Sequence, residues 1–95
     1  MAYLVQKIRT KTYMIGEYQN NVAEPSVTTV IREDKERAIA SMEAECSLFE
    51  RTFDWCVPTT TTRLLDTELA KVLVSIKFFG SFELIEELRI TIMER

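Results

Sequence analysis

The chain begins with alternating apolar and polar positions. Residues 3–15 alternate, with three apolar side chains at even positions and three basic side chains at odd positions, a period of two that predicts a half-buried β-strand. The even positions carry Leu4, Ile8 and Met14. Residues 16–25 show no apolar periodicity and contain turn-forming residues, which indicates a loop. Residues 26–31 are almost all β-branched and predict the returning strand of a hairpin.

The period then changes to that of a helix. Five apolar side chains recur at intervals of three and four residues, which places them on one stripe of an α-helix. They are Ile39, Met42, Cys46, Phe49 and Phe53. Asp34 stands where its side chain accepts a hydrogen bond from a first-turn N–H, as an N-cap does. The opposite side of the helix carries Glu43, Glu50 and Arg51, and residues 57–58, Val-Pro, end it.

The second half of the chain returns to a period of two. Residues 59–65 predict a threonine-rich strand, residues 66–68 a turn, residues 72–79 another strand, and residues 82–92 the last strand, after a tight Gly-Ser turn. A helix capped by Gly80 is the alternative for residues 65–79, and a short helix is the alternative for residues 81–87. The valines, isoleucine and phenylalanines of the first segment favour the strand, because branching at Cβ costs rotamer freedom in a helix.

One residue conflicts with the last predicted strand. Glu86 falls on its apolar parity, where an unpaired charge is costly. Either the short helix or a β-bulge near Glu86 would remove this conflict.

These elements compose an α+β protein. Their order is β-β-α-β-β-β, and we expect an antiparallel sheet with one long amphipathic helix packed on one face. The 95 residues, 46% of them hydrophobic, suit a single domain spanning residues 1–95. The chain has no apolar run of membrane-spanning length and no signal-peptide pattern at its start, and its two cysteines are too few for a disulfide framework. We therefore expect a cytoplasmic protein.

Composition argues against most catalytic chemistry. The chain has no histidine, two cysteines ten residues apart and two glycines. It therefore lacks the commonest general base and metal ligand, a paired-cysteine zinc motif and a glycine-rich phosphate loop. We expect no catalytic residues, no metal site and no cofactor, and hence a protein that is not an enzyme.

The first strand offers one candidate surface. Residues of odd number combine basic and aromatic side chains on what we predict to be the outer face of this strand: Tyr3, Val5, Lys7, Arg9, Lys11 and Tyr13. A basic stripe flanked by aromatic rings is typical of surfaces that neutralise a nucleic-acid backbone and stack its bases. The same pattern is typical of a solvated strand, because lysine protects exposed strands from aggregation. Nucleic-acid binding through Tyr3, Lys7, Arg9, Lys11 and Tyr13 is therefore the alternative hypothesis.

The late strands offer a second candidate. They carry apolar residues on both parities, whereas one helix covers only one face of a sheet. The other face requires a loop, a partner chain or water, and a large apolar patch in water is unfavourable. We predict an interface there, formed by Leu73, Ser75, Lys77, Phe79 and Ile85. A two-fold dimer is the commonest way to cover such a face.

The leading hypothesis is thus a non-enzymatic protein–protein interaction module. We expect a homodimer that binds a partner protein and modulates or inhibits it. The net charge of −3 and the small size are compatible with an accessory protein of a phage or plasmid that acts on a host factor.

Overall fold

The computed structural model describes residues 2–21, 25–51 and 56–95. Its elements are β1 (Tyr3–Ile15), β2 (Tyr18–Asn21), β3 (Ser26–Arg32), α1 (Lys35–Arg51), β4 (Thr59–Asp66), β5 (Ala70–Phe79) and β6 (Phe82–Glu94). All described strands join one antiparallel sheet in the order β2-β1-β6-β5-β4, and β3 pairs with β1 on the same side as β2. The predicted α+β architecture, with a helix on one face of an antiparallel sheet, is confirmed.

Both helical alternatives for the second half are wrong. β5 pairs along its whole length with β6, and β6 continues without a register shift through Glu86. The conflict at Glu86 is resolved by a partner rather than by a helix or a bulge, because Arg9 Nη2 donates a 3.0 Å hydrogen bond to its carboxylate. The Gly-Ser turn at residues 80–81 separates the two strands as predicted.

The predicted loop at residues 16–25 is wrong in part. The short strand β2 pairs with residues 12–15 of β1, across a turn in which Gly16 has a φ of +62°. Backbone hydrogen bonds form this pairing, and the strand's sequence, Tyr-Gln-Asn-Asn, lacks the alternation from which a strand is predicted.

The helix begins as its sequence predicts. Asp34 Oδ1 accepts a 2.8 Å hydrogen bond from the backbone N–H of Arg37, which confirms the N-cap. The buried stripe consists of Ala38, Met42, Cys46 and Phe49, and Ile39 packs at its margin. Phe53, the fifth predicted member, lies outside the described residues.

The core lies between this stripe and one face of the sheet. Val5, Leu73, Leu88, Ile90 and Ile92 supply the sheet side. Directly opposed residues of an antiparallel pair share a face, and Val5 opposes Ile92 while Leu73 opposes Leu88. The helix therefore covers the odd-numbered residues of β1 and β5 and the even-numbered residues of β6.

Candidate functional site

The sheet face opposite α1 carries many apolar side chains, and we call it the open face. It is formed by even-numbered residues of β1 and β5, odd-numbered residues of β3 and β6, and three residues of β4, Thr60, Thr62 and Leu65. The apolar members are Leu4, Ile8, Met14, Val27, Ile31, Leu65, Val72, Val74, Ile76, Phe78, Ile85 and Met93. Five of them are exposed: Val27, Ile31, Leu65, Phe78 and Met93. The one described helix packs on the other side of the sheet.

The polar residues of the open face are mostly neutral, and the charged ones are Glu83, Glu87 and Arg89. Threonines of several strands lie between the apolar side chains, and Arg89 donates a 2.9 Å hydrogen bond to Glu87 two positions away on the same strand. Because Arg89 and Glu87 form an ion pair with each other, the centre of the open face carries little net charge. Its chemistry therefore suits burial against another apolar surface.

The predicted interface residues do not share one surface. Leu73 is fully buried beneath the helix, Ser75 is also buried, and Lys77 and Phe79 have the same parity as these two. Ile85 is on the open face, because it opposes Ile76. The prediction of an accessible interface at Leu73 and Ser75 is therefore wrong. Both parities of β5 are apolar, and the sequence alone does not show which of them the helix covers.

The predicted nucleic-acid surface is also on the helix side. Tyr3, Lys7, Arg9, Lys11 and Tyr13 share a face as expected, but it is the face on which α1 packs rather than the outer face. Tyr3 packs against the core, and Tyr13 packs on Phe82 with ring centroids 5.7 Å apart. Buried Val5, at the centre of this parity, fixes the orientation of the strand.

Two of the three bases on that face bind carboxylates of this chain. Lys7 Nζ donates a 3.0 Å hydrogen bond to Glu45 on α1, and Arg9 binds Glu86 on β6. The Arg9 guanidinium also lies 5.7 Å from the centroid of the Phe49 ring, within the range of a cation–π contact. Lys11 is exposed and opposes Glu86. The face is thus largely neutralised by its own protein.

A chain of five charges ties the flank of α1 to β4 and β5. Lys71 is almost completely buried, binds Asp66, and lies 2.9 Å from Glu43 on the helix. Arg63 continues the chain by binding Asp66 and Glu50. The hydrogen bonds to Asp66 and then Glu43 raise the pKa of Lys71, and the hydrogen bond from Lys71 lowers the pKa of Asp66. These ion pairs anchor the helix to β4 and β5. Asp66 and Glu43 are half-exposed, so both carboxylates remain in contact with solvent.

The cysteines do not form a reactive pair. Cys46 is fully buried in the helix stripe, and burial raises the pKa of its thiol, which disfavours the thiolate. Cys56 is exposed. No cluster of three or more potential metal ligands occurs among the described residues. In the same part of the chain, no helix has the length and apolarity needed to cross a membrane.

A depression of about 490 Å³ lies at the end of the sheet where two turns meet. It is lined by Met14, Gly16, Glu83 and residues 78–82. Phe79 and Phe82 stack beside it with ring centroids 4.6 Å apart. The sequence signal for it is the aromatic turn Phe-Phe-Gly-Ser-Phe at residues 78–82, whose pattern predicts a hairpin but not a depression. The depression adjoins the open face through Phe78 and extends its apolar surface to the sheet end.

No protein-family model matches the chain. No curated protein and no solved structure is similar to it at a significant level. Its function is therefore argued from its own surfaces.

Proposed function

We propose that this protein is a non-enzymatic protein–protein interaction module, a homodimer that binds a partner protein through the open face and modulates or inhibits it. The observation that supports this most directly is the two-layer architecture. The helix buries one face of the sheet, and the other face carries twelve apolar residues, of which five are exposed.

The open face suits an apolar protein partner. Phe78 and Leu65 are exposed on it, and exposed apolar patches of this kind are typical of docking surfaces. Aromatic anchors such as Phe78 contribute disproportionately to binding at such surfaces. The charged residues near its centre, Glu87 and Arg89, already bind each other, so their burial does not leave either charge unpaired. Glu83, which opposes Phe78, is the other charged residue of the open face, and a partner around Phe78 must pair it or leave it in water.

Matched lysine substitutions test the proposal. Phe78→Lys and Leu65→Lys each place a charge on the open face, and Leu48→Lys places the same charge on the helix, where Leu48 is 60% exposed. Each variant, tagged, is used to capture proteins from the native host's lysate, and captured proteins are identified by mass spectrometry. We expect a protein captured by the wild type and by Leu48→Lys to be lost from both open-face variants.

Two outcomes would contradict this proposal. One is a captured protein that both open-face variants retain. The other is a protein lost only from Leu48→Lys, which would place the docking surface on the helix side. Circular dichroism of each variant confirms that the fold is unchanged before capture is compared.

Nucleic-acid binding is less well supported, because Lys7 and Arg9 already bind carboxylates of α1 and β6. It predicts salt-sensitive binding of a fluorescent single-stranded oligonucleotide, weakened when Lys7, Arg9 and Lys11 are replaced by alanine. We expect no change in fluorescence anisotropy at low salt for either protein. Binding that the three substitutions abolish would restore this alternative.

A further inference from the structure

The two edges of the sheet are chemically different. At one edge, the pairing of β4 with β5 shifts register between Arg63 and Leu65, and β4 carries two charged residues, Arg63 and Asp66. Bulges and charges on an edge strand prevent it from pairing with another chain. The β4 edge is therefore protected against self-association.

The β3 edge is less protected. Residues 26–31 read Ser-Val-Thr-Thr-Val-Ile, without a charge, a proline or a glycine, and the charge of the strand is at its last residue, Arg32. The Arg32 side chain turns back to its own chain, where it donates to the hydroxyl of Ser41 on α1 and to the backbone carbonyl of Ile31. All seven residues of β3 pair with β1 in unbroken register, and the other backbone N–H and C=O groups on the side opposite β1 form the edge. A regular, β-branched edge with its charge confined to one end is a template for another strand.

Two exposed side chains on β3 reinforce this assignment. Val27 is 57% and Ile31 is 53% exposed, although both are aliphatic residues in a regular strand. They lie four residues apart on the open face, with Thr29 midway between them. Their spacing is symmetric about Thr29, so an antiparallel copy of the same strand would place each opposite the other.

We propose that β3 pairs antiparallel with β3 of a second copy of this chain, about a two-fold axis at Thr29. Val27 then opposes the partner's Ile31, and Ser26 opposes the partner's Arg32. No like charges face each other across this register. The two sheets become one continuous sheet, and their open faces become one continuous surface.

The sequence of β3 itself indicates that the strand pairing with this edge comes from a second copy of the chain. A segment that is uncharged and β-branched is both the template and the strand best suited to pair with it, and an isologous contact uses the same patch on both subunits. Once each copy has paired its β3, the edges that remain are the protected β4 and the four-residue β2; a strand as short as β2 offers few backbone groups to a further copy, so we expect assembly to close at two. A seven-residue strand pair is smaller than a standard interface, so we expect a micromolar, concentration-dependent dimer.

This inference goes beyond the proposed function by giving self-association a surface of its own. Partner binding is assigned to the centre of the open face, around Phe78, whereas self-association is assigned to the backbone edge of β3. If the assignment of partner binding fails, the β3 variants still test self-association, and if self-association fails, the Phe78 variant still tests partner binding.

Two double variants with charges at the same two positions, 27 and 31, test the register of the β3–β3 pair. The double variant Val27→Lys/Ile31→Lys sets an ammonium opposite an ammonium twice across the two-fold axis, whereas Val27→Lys/Ile31→Glu sets an ammonium opposite a carboxylate. Within one chain the two positions are too far apart to interact, at about 13 Å along the strand. The two variants share the lysine at position 27 and differ only at position 31, where the sign of the charge presented to a second copy is reversed; the net charge of the chain differs by two between them, so both are measured at high as well as low salt.

Sedimentation equilibrium of the full chain from 1 µM to 1 mM, roughly spanning the expected range, measures association. We expect a dimer for the wild type, at least a tenfold weaker dimer for Val27→Lys/Ile31→Lys, and a retained dimer for Val27→Lys/Ile31→Glu. Mixing Val27→Lys/Ile31→Lys with Val27→Glu/Ile31→Glu should restore association. Amide exchange of β3, and not of β4, should slow as concentration rises.

Three results would overturn the proposal. A wild-type protein that stays monomeric up to 1 mM excludes the dimer. Equal association of the two charge variants excludes the register. Loss of the dimer in Thr62→Lys, with no loss in Val27→Lys/Ile31→Lys, would place the contact at the β4 edge.

Discussion

Leu73 is the residue at which the sequence-based interface and the structure disagree most, and replacing it by alanine decides between them. In the structure it is fully buried between α1 and the sheet, opposite Leu88. If this is correct, Leu73→Ala should destabilise the monomer. If Leu73 instead lay on an exposed interface, the same substitution would affect stability little.

The size of the effect follows from the burial. Leucine exceeds alanine by three carbon atoms, each contributing about 0.8 kcal/mol when buried. The cavity left beneath the helix adds a further cost, and fully buried leucines replaced by alanine lose about 3–5 kcal/mol in total. A chain of this length has a free energy of unfolding of about 5–14 kcal/mol. Leu73→Ala should therefore remove a large share of the stability and lower the Tm by roughly 15–25 °C.

Leu64 provides the matched control. It is 65% exposed at the register shift of β4, so Leu64→Ala should change the free energy of unfolding by less than about 0.5 kcal/mol. Urea unfolding followed by far-ultraviolet circular dichroism gives both values, with an unchanged m-value showing that the same surface is exposed.

The two substitutions together can refute the assignment of faces. A loss below about 1 kcal/mol for Leu73→Ala, or an equal loss for Leu64→Ala, would show that the helix does not cover the odd parity of β5.

Three further predictions concern other parts of the molecule. The carboxyl of Asp66 has a lowered pKa, so its ionised form stabilises the fold above its unfolded pKa of about 3.9, and this contribution is lost as the pH falls through its folded pKa. Between about pH 5 and 2, the urea midpoint of Asp66→Asn should therefore fall less than that of the wild type. In the native protein, Ellman's reagent should modify exposed Cys56 rapidly and buried Cys46 only on unfolding. Gly16→Ala should cost about 1–2 kcal/mol in urea unfolding, because its φ is +62°, whereas Gly80→Ala, with open space around it, should cost less than half as much.

Each of these has a clear contrary result. If the urea midpoints of Asp66→Asn and of the wild type fall equally with pH, the ion pair between Asp66 and the buried Lys71 does not form. Equal labelling rates for the two thiols would place Cys46 outside the core. Equal costs at the two glycines would show that the turn at Gly16 does not need a left-handed residue.

Hydrophobic periodicity predicted most elements correctly as helix or strand, because each of them contains a stretch with a clear helical or strand period. The helix is marked by apolar residues at intervals of three and four, and Asp34 supplies its N-cap. β5 and β6 are marked by β-branched and aromatic residues whose local preference agrees with their pairing. β2 carries no such pattern, since its pairing depends on backbone groups common to every sequence.

Which face of the sheet is buried could not be predicted, because local pattern does not reveal distant partners. The bases of β1 suggested an outer face, but Lys7 meets a carboxylate 38 residues away and Arg9 meets one 77 residues away. Those partners allow charged residues to flank the core beside Val5. In β5, adjacent apolar residues such as Leu73 and Val74 are equivalent in pattern, and only the position of the helix distinguishes them.

The place of β6 in the sheet has a consequence for biosynthesis. β6 is the last of the described strands in chain order, yet it lies between β1 and β5 and is the only described strand that joins the two halves of the sheet. While a ribosome is still synthesising it, the sheet of β1, β2 and β3 and the pair of β4 and β5 have no strand in common. We therefore expect the two parts of the sheet to join only after β6 emerges, and the apolar side chains of β1 and β5 to stay exposed until then.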